Sequence, residues 1–359
     1  MNEDLPIPQA KRLHGRGASF NPANRFDKIE IEQDPDFLDE DDRPAIKTEF
    51  YKDTTKKIIN FNDSPDISFS ASVNPYRGCE HGCIYCFARP THEYFGLSSG
   101  VDFETKIFVK EDAAPLLTKE LGRPSWEPQP VVVGSATDPY QPVERKLKIT
   151  RAILEVFLQF RNPLAIITKN SLVTRDIDLL KGLNEYQCCL VNVSITTLDR
   201  KLARVMEPRT ATPENRLKAV EALAKEGIPV NVMVAPVIPG LNDHEIPRIL
   251  KAAADAGACS AAYVVLRLPH TLKDLFEDWL TRHFPDRKNK ILNRIRSMRG
   301  GKLYDAQFHK RMRGEGIFAE QIKQMFDVAY RKCGLDKRQR PTLSIEYFRS
   351  PAEKQLTLF

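Results

Sequence analysis

Six short β-branched apolar runs, each followed by a longer amphipathic stretch, constrain this chain more than any other feature. They are ISFSASV (67–73), VVVGSA (131–136), LAIITK (164–169), LVNVSIT (190–196), VNVMVAPVI (230–238) and AAYVVLR (261–267). Near-continuous apolar runs of this length suit strands buried on both faces of a parallel sheet. The spacing predicts helices over 112–121, 145–161, 175–185, 213–226, 244–256 and 272–283. The helix at 213–226 carries its own punctuation: Thr212 is a good N-cap, Pro213 suits the first helical position, and Gly227 follows the end. Repeated βα units mean an α/β fold, either a barrel or an open parallel sheet, and in both the ligand binds at the C-terminal edge of the strands.

Around this core, at 66–284, the chain divides by composition. Residues 1–65 read as an irregular extension, since Glu30 to Asp42 holds eight acids and no base and like charges repel. Within it GRGASFNPANRF (15–26) is glycine-rich and basic, and suits either docking on the body or contact with a phosphate backbone. Residues 285–349 read as a basic helical region, with helices at 287–298 and 316–332, and 350–359 as an exposed tail. The net charge of +6 hides an asymmetry, because residues 280–349 hold 18 Lys/Arg against 7 Asp/Glu. Such a surface fits a polyanion such as nucleic acid, or is a plainly solvated helical face. No apolar run reaches the roughly 20 residues of a membrane span, and the N-terminus lacks the apolar core of a secretory signal. A cytoplasmic protein is expected. In that reducing compartment an odd total of 7 cysteines points to metal or redox chemistry rather than disulfides.

Three of those cysteines sit together in GCEHGCIYCFARP (78–90), after the first expected strand. Cys79, Cys83 and Cys86 are spaced for one loop to wrap a metal or cluster, with Gly78 and Gly82 allowing tight turns. A structural zinc closes with four protein ligands, and the fourth would have to come from His81, His92 or a distant residue. A [4Fe–4S] cluster usually takes four cysteines, so three leave one iron open to a ligand.

The C-x-x-x-C-x-x-C spacing, with the aromatic Tyr85 before its last cysteine, resembles the radical SAM superfamily. That resemblance implies a partial (β/α)6 TIM-like barrel, a [4Fe–4S] cluster on Cys79, Cys83 and Cys86, and S-adenosylmethionine (SAM) on the open iron. It further implies reductive cleavage of SAM to a 5′-deoxyadenosyl radical, and so an electron donor. TKN (168–170), VSIT (193–196), MEPRTATPENRL (206–217) and APVIPG (235–240) resemble the spore photoproduct lyase branch. By that likeness Lys169 and Ser194 hold the SAM carboxylate, and Thr137 and Asp138 lie near its amino group. Glu207, Arg209 and Arg216 lie near its ribose or brace the loop; read from residue type alone, these three also suit a structural ion-pair network. One departure sets the chain apart from the lyase: Ser135 stands where the lyase carries its hydrogen-donating cysteine. Cys188, Cys189, Cys259, Cys333 and Tyr140 remain conceivable donors or relays, and small buried cysteines are the plainer reading.

The terminal Gln355-Leu356-Thr357-Leu358-Phe359 resembles the peptide with which bacterial replication and repair proteins bind the sliding clamp. Leu358 and Phe359 would fill an apolar pocket, with Gln355 and Leu356 at its edge. The expected function is therefore radical SAM chemistry on an unassigned substrate, for which nucleic acid in a DNA-repair setting or another large anionic molecule is the candidate. The alternatives are a nucleic-acid or clamp-associated binding protein with a structural cluster or zinc, and radical SAM modification of a protein or small molecule.

Overall fold

The computed structural model describes residues 15–26 and 47–350; the acidic run at 30–42 and the clamp-like peptide at 355–359 lie outside the described residues. The strands in chain order are β1 (Glu49–Lys52), β2 (Ile59–Phe61), β3 (Ala71–Val73), β4 (Tyr76–Arg77), β5 (Lys106–Val109), β6 (Val131–Val133), β7 (Leu164–Thr168), β8 (Cys189–Ser194), β9 (Val230–Val237) and β10 (Ser260–Val265). The main sheet has the order β2-β3-β6-β7-β8-β9-β10. From β3 to β10 every pairing is parallel and sequential, while β2 runs antiparallel at the edge. β2 and β10 do not pair, so the fold is the open, partial (β/α)6 barrel. The runs are apolar throughout because helices and barrel interior bury both faces: Val131, Val133, Ile166, Val191, Val193 and Val232 are all wholly buried. Helices Ala113–Leu121, Ile149–Phe160, Ile177–Asn184, Pro213–Lys225 and Ile246–Asp255 fill the connections. Thr212 caps its helix as expected, its hydroxyl accepting from the Asn215 N–H at 3.3 Å.

One expectation needs correction. The extension is not irregular throughout 1–65: β1 pairs in parallel with β5, which pairs with β4 in a small side sheet, and β2 joins the main sheet. These strands are three or four residues long and largely exposed, so they lack a readable alternation. The helical region after Pro285 packs on the body. Ile291, Leu292 and Ile295 of helix Pro285–Ser297 share a cluster with Trp279 and Leu280, and Phe326 of helix Ile317–Lys332 lies 4.8 Å from the ring of Tyr263 on β10. Further on, the Ser344 and Arg349 N–H groups donate to the carbonyls of Gln187 and Phe160, each at 2.9 Å.

Candidate functional site

The cysteine loop leaves β4 at Gly78 (φ +77°) and turns again at Gly82 (φ +65°), both in the left-handed region. A Cβ at Gly78 would stand 2.9 Å from the His92 ring, and one at Gly82 2.7 Å from the Glu104 carboxylate. Three bonds pin the loop. Cys79 N–H donates to Phe103 O at 2.9 Å, Ile84 N–H to Met206 O at 2.9 Å, and Arg89 Nε to Cys83 O at 2.9 Å. Cys79 and Cys83 are buried and Cys86 is partly exposed; all three are free thiols. Burial pushes the Cys83 thiol up to about 12, with the Glu207 charge adding and Lys169 opposing. Burial raises Cys79 well above the ordinary thiol range too, helped by Asp138. Thiols in such a place stay protonated until a cation displaces the proton.

Of the two nearby histidines, His81 has both ring nitrogens engaged, whereas His92 engages Nε2 and leaves Nδ1 without a hydrogen-bond partner. His81 has Nδ1 3.3 Å from Asp138 Oδ2 and Nε2 3.2 Å from Asn170 Nδ2. His92 places Nε2 2.8 Å from Lys106 O and packs edge-on against Phe103 at 5.3 Å. Burial holds the His92 ring down at a pKa of about 4. Among the described residues no group of three or more His, Cys, Asp or Glu side chains is arranged to hold a single metal ion, and three cysteines on one loop fit a cluster that keeps one iron open.

The strand ends supply the rest. Asp138, after β6, accepts from Lys169 N–H (2.7 Å), the Thr168 hydroxyl (2.7 Å) and Tyr140 N–H (2.9 Å). Burial works to raise its pKa, yet His81, the Lys169 N–H and the Thr168 hydroxyl together hold it below the usual carboxylate range. Asp138 therefore staples the ends of β6 and β7. Thr137 is likewise spoken for, its hydroxyl donating to Tyr76 O at 2.8 Å. Lys169 and Ser194 differ. The Lys169 ammonium lies 5.7 Å from the Tyr85 ring centroid and makes no ion pair among the described residues. Ser194 is a buried residue whose hydroxyl makes no hydrogen bond among the described residues either. The β7–β8 register pairs Thr168 with Val193, so these two residues end neighbouring strands. An unpaired ammonium and an unpaired hydroxyl side by side can take up a carboxylate.

Glu207 and Arg216 form a wholly buried ion pair. Arg216 also donates to Ser194 O (3.0 Å), Ala211 O (2.8 Å) and the Thr210 hydroxyl (2.6 Å), while Glu207 accepts from the hydroxyls of Tyr85 and Thr196. Arg209 pairs with Glu80 at 3.1 Å. Glu207 and Arg216 in one pair and Arg209 in another brace the cysteine loop and the end of β8.

Several organising residues escaped the sequence reading. Arg89 and Glu104 make a second wholly buried pair, and Arg89 Nη1 donates to Ser99 O and Gly100 O. Glu104 accepts from the N–H groups of Gly17 (3.0 Å) and Ala18 (2.8 Å). The segment 15–26 thus docks on the body as a strap over the cysteine loop. It passes so close that a Cβ on Gly17 would lie 1.8 Å from Gly82 O. Buried Gln141 joins the loops, its Oε1 accepting from Glu80 N–H at 2.9 Å. The glycines of GRG were the only local signal.

The conceivable donors lie elsewhere. Cys188 and Cys189 open β8 and Cys259 precedes β10, at the sheet edge opposite the cysteine loop, and Cys333 follows helix Ile317–Lys332. Tyr140 is wholly buried with its hydroxyl on Asp176 at 3.1 Å. Ser135, at the end of β6, accepts from Asn74 Nδ2 at 3.2 Å.

Residues 73–253 match the family described as the Radical SAM superfamily. An uncharacterized protein of Mycobacterium tuberculosis is 37% identical over 240 residues, covering 66% of this chain and 71% of that one. Another, from Methanocaldococcus jannaschii, is 30% identical over 199 residues, covering 55% and 71%. Among solved structures, a spore photoproduct lyase variant with bound AdoMet and dinucleoside spore photoproduct superposes with a TM-score of 0.55 at 17% identity, covering 79% of this chain and 78% of that one. The fold is therefore shared with that lyase, and the chain belongs to the radical SAM superfamily.

Proposed function

We propose that this protein is a SAM-cleaving radical enzyme that holds a [4Fe–4S] cluster on Cys79, Cys83 and Cys86, and SAM with the help of Lys169 and Ser194. The observation that carries the reading is the unpaired ammonium and hydroxyl at neighbouring strand ends beside three free thiols, two of them buried. A cluster held by Cys79, Cys83 and Cys86 and SAM held with Lys169 and Ser194 would supply radical hydrogen-atom abstraction, given one electron from an external donor. Lys169 offers the positive charge for a ligand carboxylate, and Ser194 the hydrogen bond. Tyr85, fixed by Glu207, keeps the loop between Cys83 and Cys86 in place.

A tetrahedral zinc needs its ligands to converge on one point. Among the described residues no three His, Cys, Asp or Glu side chains do so, whereas thiolates on separate irons need not. A nucleic-acid substrate is supported by the basic balance of residues 280–349 and by the likeness to a fold that binds a dinucleoside. In this reading the terminal Gln355, Leu356, Leu358 and Phe359 deliver the enzyme to a sliding clamp, and it works in the cytoplasm, a setting supported by the odd total of 7 cysteines. Among the described residues no helix is long and apolar enough to cross a membrane.

The test is anaerobic reconstitution with iron and sulfide, reduction, addition of SAM and quantification of 5′-deoxyadenosine. Wild type should form it, Cys83→Ala should not, and Lys169→Met should need at least about tenfold more SAM, the loss of one charge-assisted contact. An intact, reduced wild-type cluster that forms none, with or without oligonucleotides, would overturn the reading.

A further inference from the structure

Immediately after Cys86 the surface opens into a groove of about 210 Å³, lined among others by Arg25, Phe87, Tyr94, Arg267, His270 and Tyr304. No acid lines it. Phe87 is 45% exposed and Tyr94 68%, so two large rings face solvent at one place beside the cysteine loop. Single exposed aromatics are common, but a pair beside arginines in a concave site is not what folding alone requires. The arginines differ in state. Arg25 is neutralised by Glu93 at 2.8 Å and lies 5.4 Å from the Tyr94 ring centroid. Arg267, just past the end of β10, lies 4.2 Å from the Phe87 ring centroid and makes no hydrogen bond or ion pair among the described residues. Its neighbour Arg299 spends its donors on Leu266 O and Lys310 O and adds further positive charge. Elsewhere the basic surplus is largely used within the protein. Arg282 meets Asp278, Lys288 meets Glu277, Arg294 meets Asp243, Arg311 meets Asp66, and Arg338 donates to two carbonyls. The unbalanced charge that faces exposed rings is at Arg267.

We propose that this groove binds a single nucleic-acid strand, with a backbone phosphate on Arg267 and bases stacked on Phe87 and Tyr94. The inference rests on the nucleic-acid reading of the substrate and locates it on the groove rather than on helices 285–349. A single strand suits the site because its bases offer free faces to aromatic side chains, which the bases inside a duplex do not. The position also fits, since the groove begins one residue beyond a cluster ligand.

The experiment is fluorescence anisotropy of a labelled single-stranded oligonucleotide with the full chain, cluster loaded and unreduced, across a salt series. Arg267→Gln should weaken binding about tenfold and reduce the slope of log affinity against log salt by about 0.7, the loss of one phosphate contact on a single strand. Phe87→Ala should weaken binding about tenfold with the slope unchanged, the loss of one stacked base. Phe87→Trp should keep the affinity. Should Arg267→Gln fail to fold, the exposed Phe87 variants carry the test alone. Absence of binding, binding that ignores both positions, or equal competition by inorganic phosphate or an acidic peptide would overturn the proposal. Formation of 5′-deoxyadenosine by wild type without any strand is scored separately. A chain that cleaves SAM but ignores the oligonucleotide sinks only the groove; one that binds it through Phe87 and Arg267 yet leaves SAM intact sinks only the radical chemistry.

Discussion

Two buried arginine–glutamate pairs clasp the cysteine loop from opposite sides, and they hold it by different atoms. Arg89, paired with Glu104, grips the backbone at Cys83 O, and Glu104 at the same time anchors the strap through Gly17 and Ala18. Arg216, paired with Glu207, works through a side chain, the Tyr85 hydroxyl, and through the strand end at Ser194 O. The Arg216 side has the β8–β9 ladder behind it. The Arg89 side joins a loop, a short helix and the strap, so the pair itself supplies the order that a ladder supplies elsewhere. Burial makes both pairs costly to halve, because the abandoned partner keeps its charge in a place without water.

The sharpest way to break the comparison is to remove one arginine at a time. Arg89→Ala leaves Glu104 buried without its cation and should cost about 3–5 kcal/mol. It should also lower iron content per chain after reconstitution, because the Cys83 carbonyl is released. Arg216→Ala should cost a similar amount in urea unfolding but load iron nearly as well as wild type, with the loss falling on SAM affinity instead. Equal iron loading by both variants would mean that the two walls are equivalent.

The walls should also differ in acid. His92 lies in the short helix Arg89–Phe95, and burial holds its pKa at about 4 against an ordinary 6.5. Between those values the unfolded chain binds a proton that the folded chain refuses. Stability therefore falls as pH drops through that window, by at most about 3 kcal/mol, and is complete above 6.5. In His92→Gln the acid limb of a stability–pH curve should flatten. An unchanged limb would assign the sensitivity to other groups.

How much of this was legible follows the same division. The strands could be read because each run is apolar at successive positions, a signal that survives without knowledge of any partner. Lys169 and Ser194 were singled out by the likeness of TKN (168–170) and VSIT (193–196) to the lyase branch, not by a local pattern of the chain. Arg89 and Glu104 could not be read, since their pairing answers to the shape of a loop that no local pattern describes. The strap was half legible: Gly17 marked it as unusual, but the close approach to Gly82 belongs to residues 65 positions apart. A Gly17→Ala variant measures that approach. Its methyl group would meet Gly82 O at 1.8 Å, so strap or loop must shift, at about 1–3 kcal/mol with slower cluster loading. Gly15→Ala, with open space around it, is the companion: it strains only its own φ of +75° and should leave loading untouched.

The smallest expected effect lies on the Arg216 wall. Tyr85→Phe removes one hydroxyl from Glu207, which still holds Arg216 and the Thr196 hydroxyl at 3.1 Å. The carboxylate is not orphaned, so the loss should be about 1 kcal/mol, that of one hydrogen bond whose acceptor keeps other donors. Ile84 N–H still binds Met206 O, so the loop should stay and load iron normally. The ring also survives, and with it the face that the Lys169 ammonium approaches at 5.7 Å. SAM affinity should therefore change less than about threefold, whereas Tyr85→Leu, which deletes the aromatic face as well, should weaken it further. If Tyr85→Phe instead loses iron as Arg89→Ala does, the hydroxyl contact is as necessary as the backbone grip, and the sheet behind the Arg216 wall contributes less than its ladder suggests.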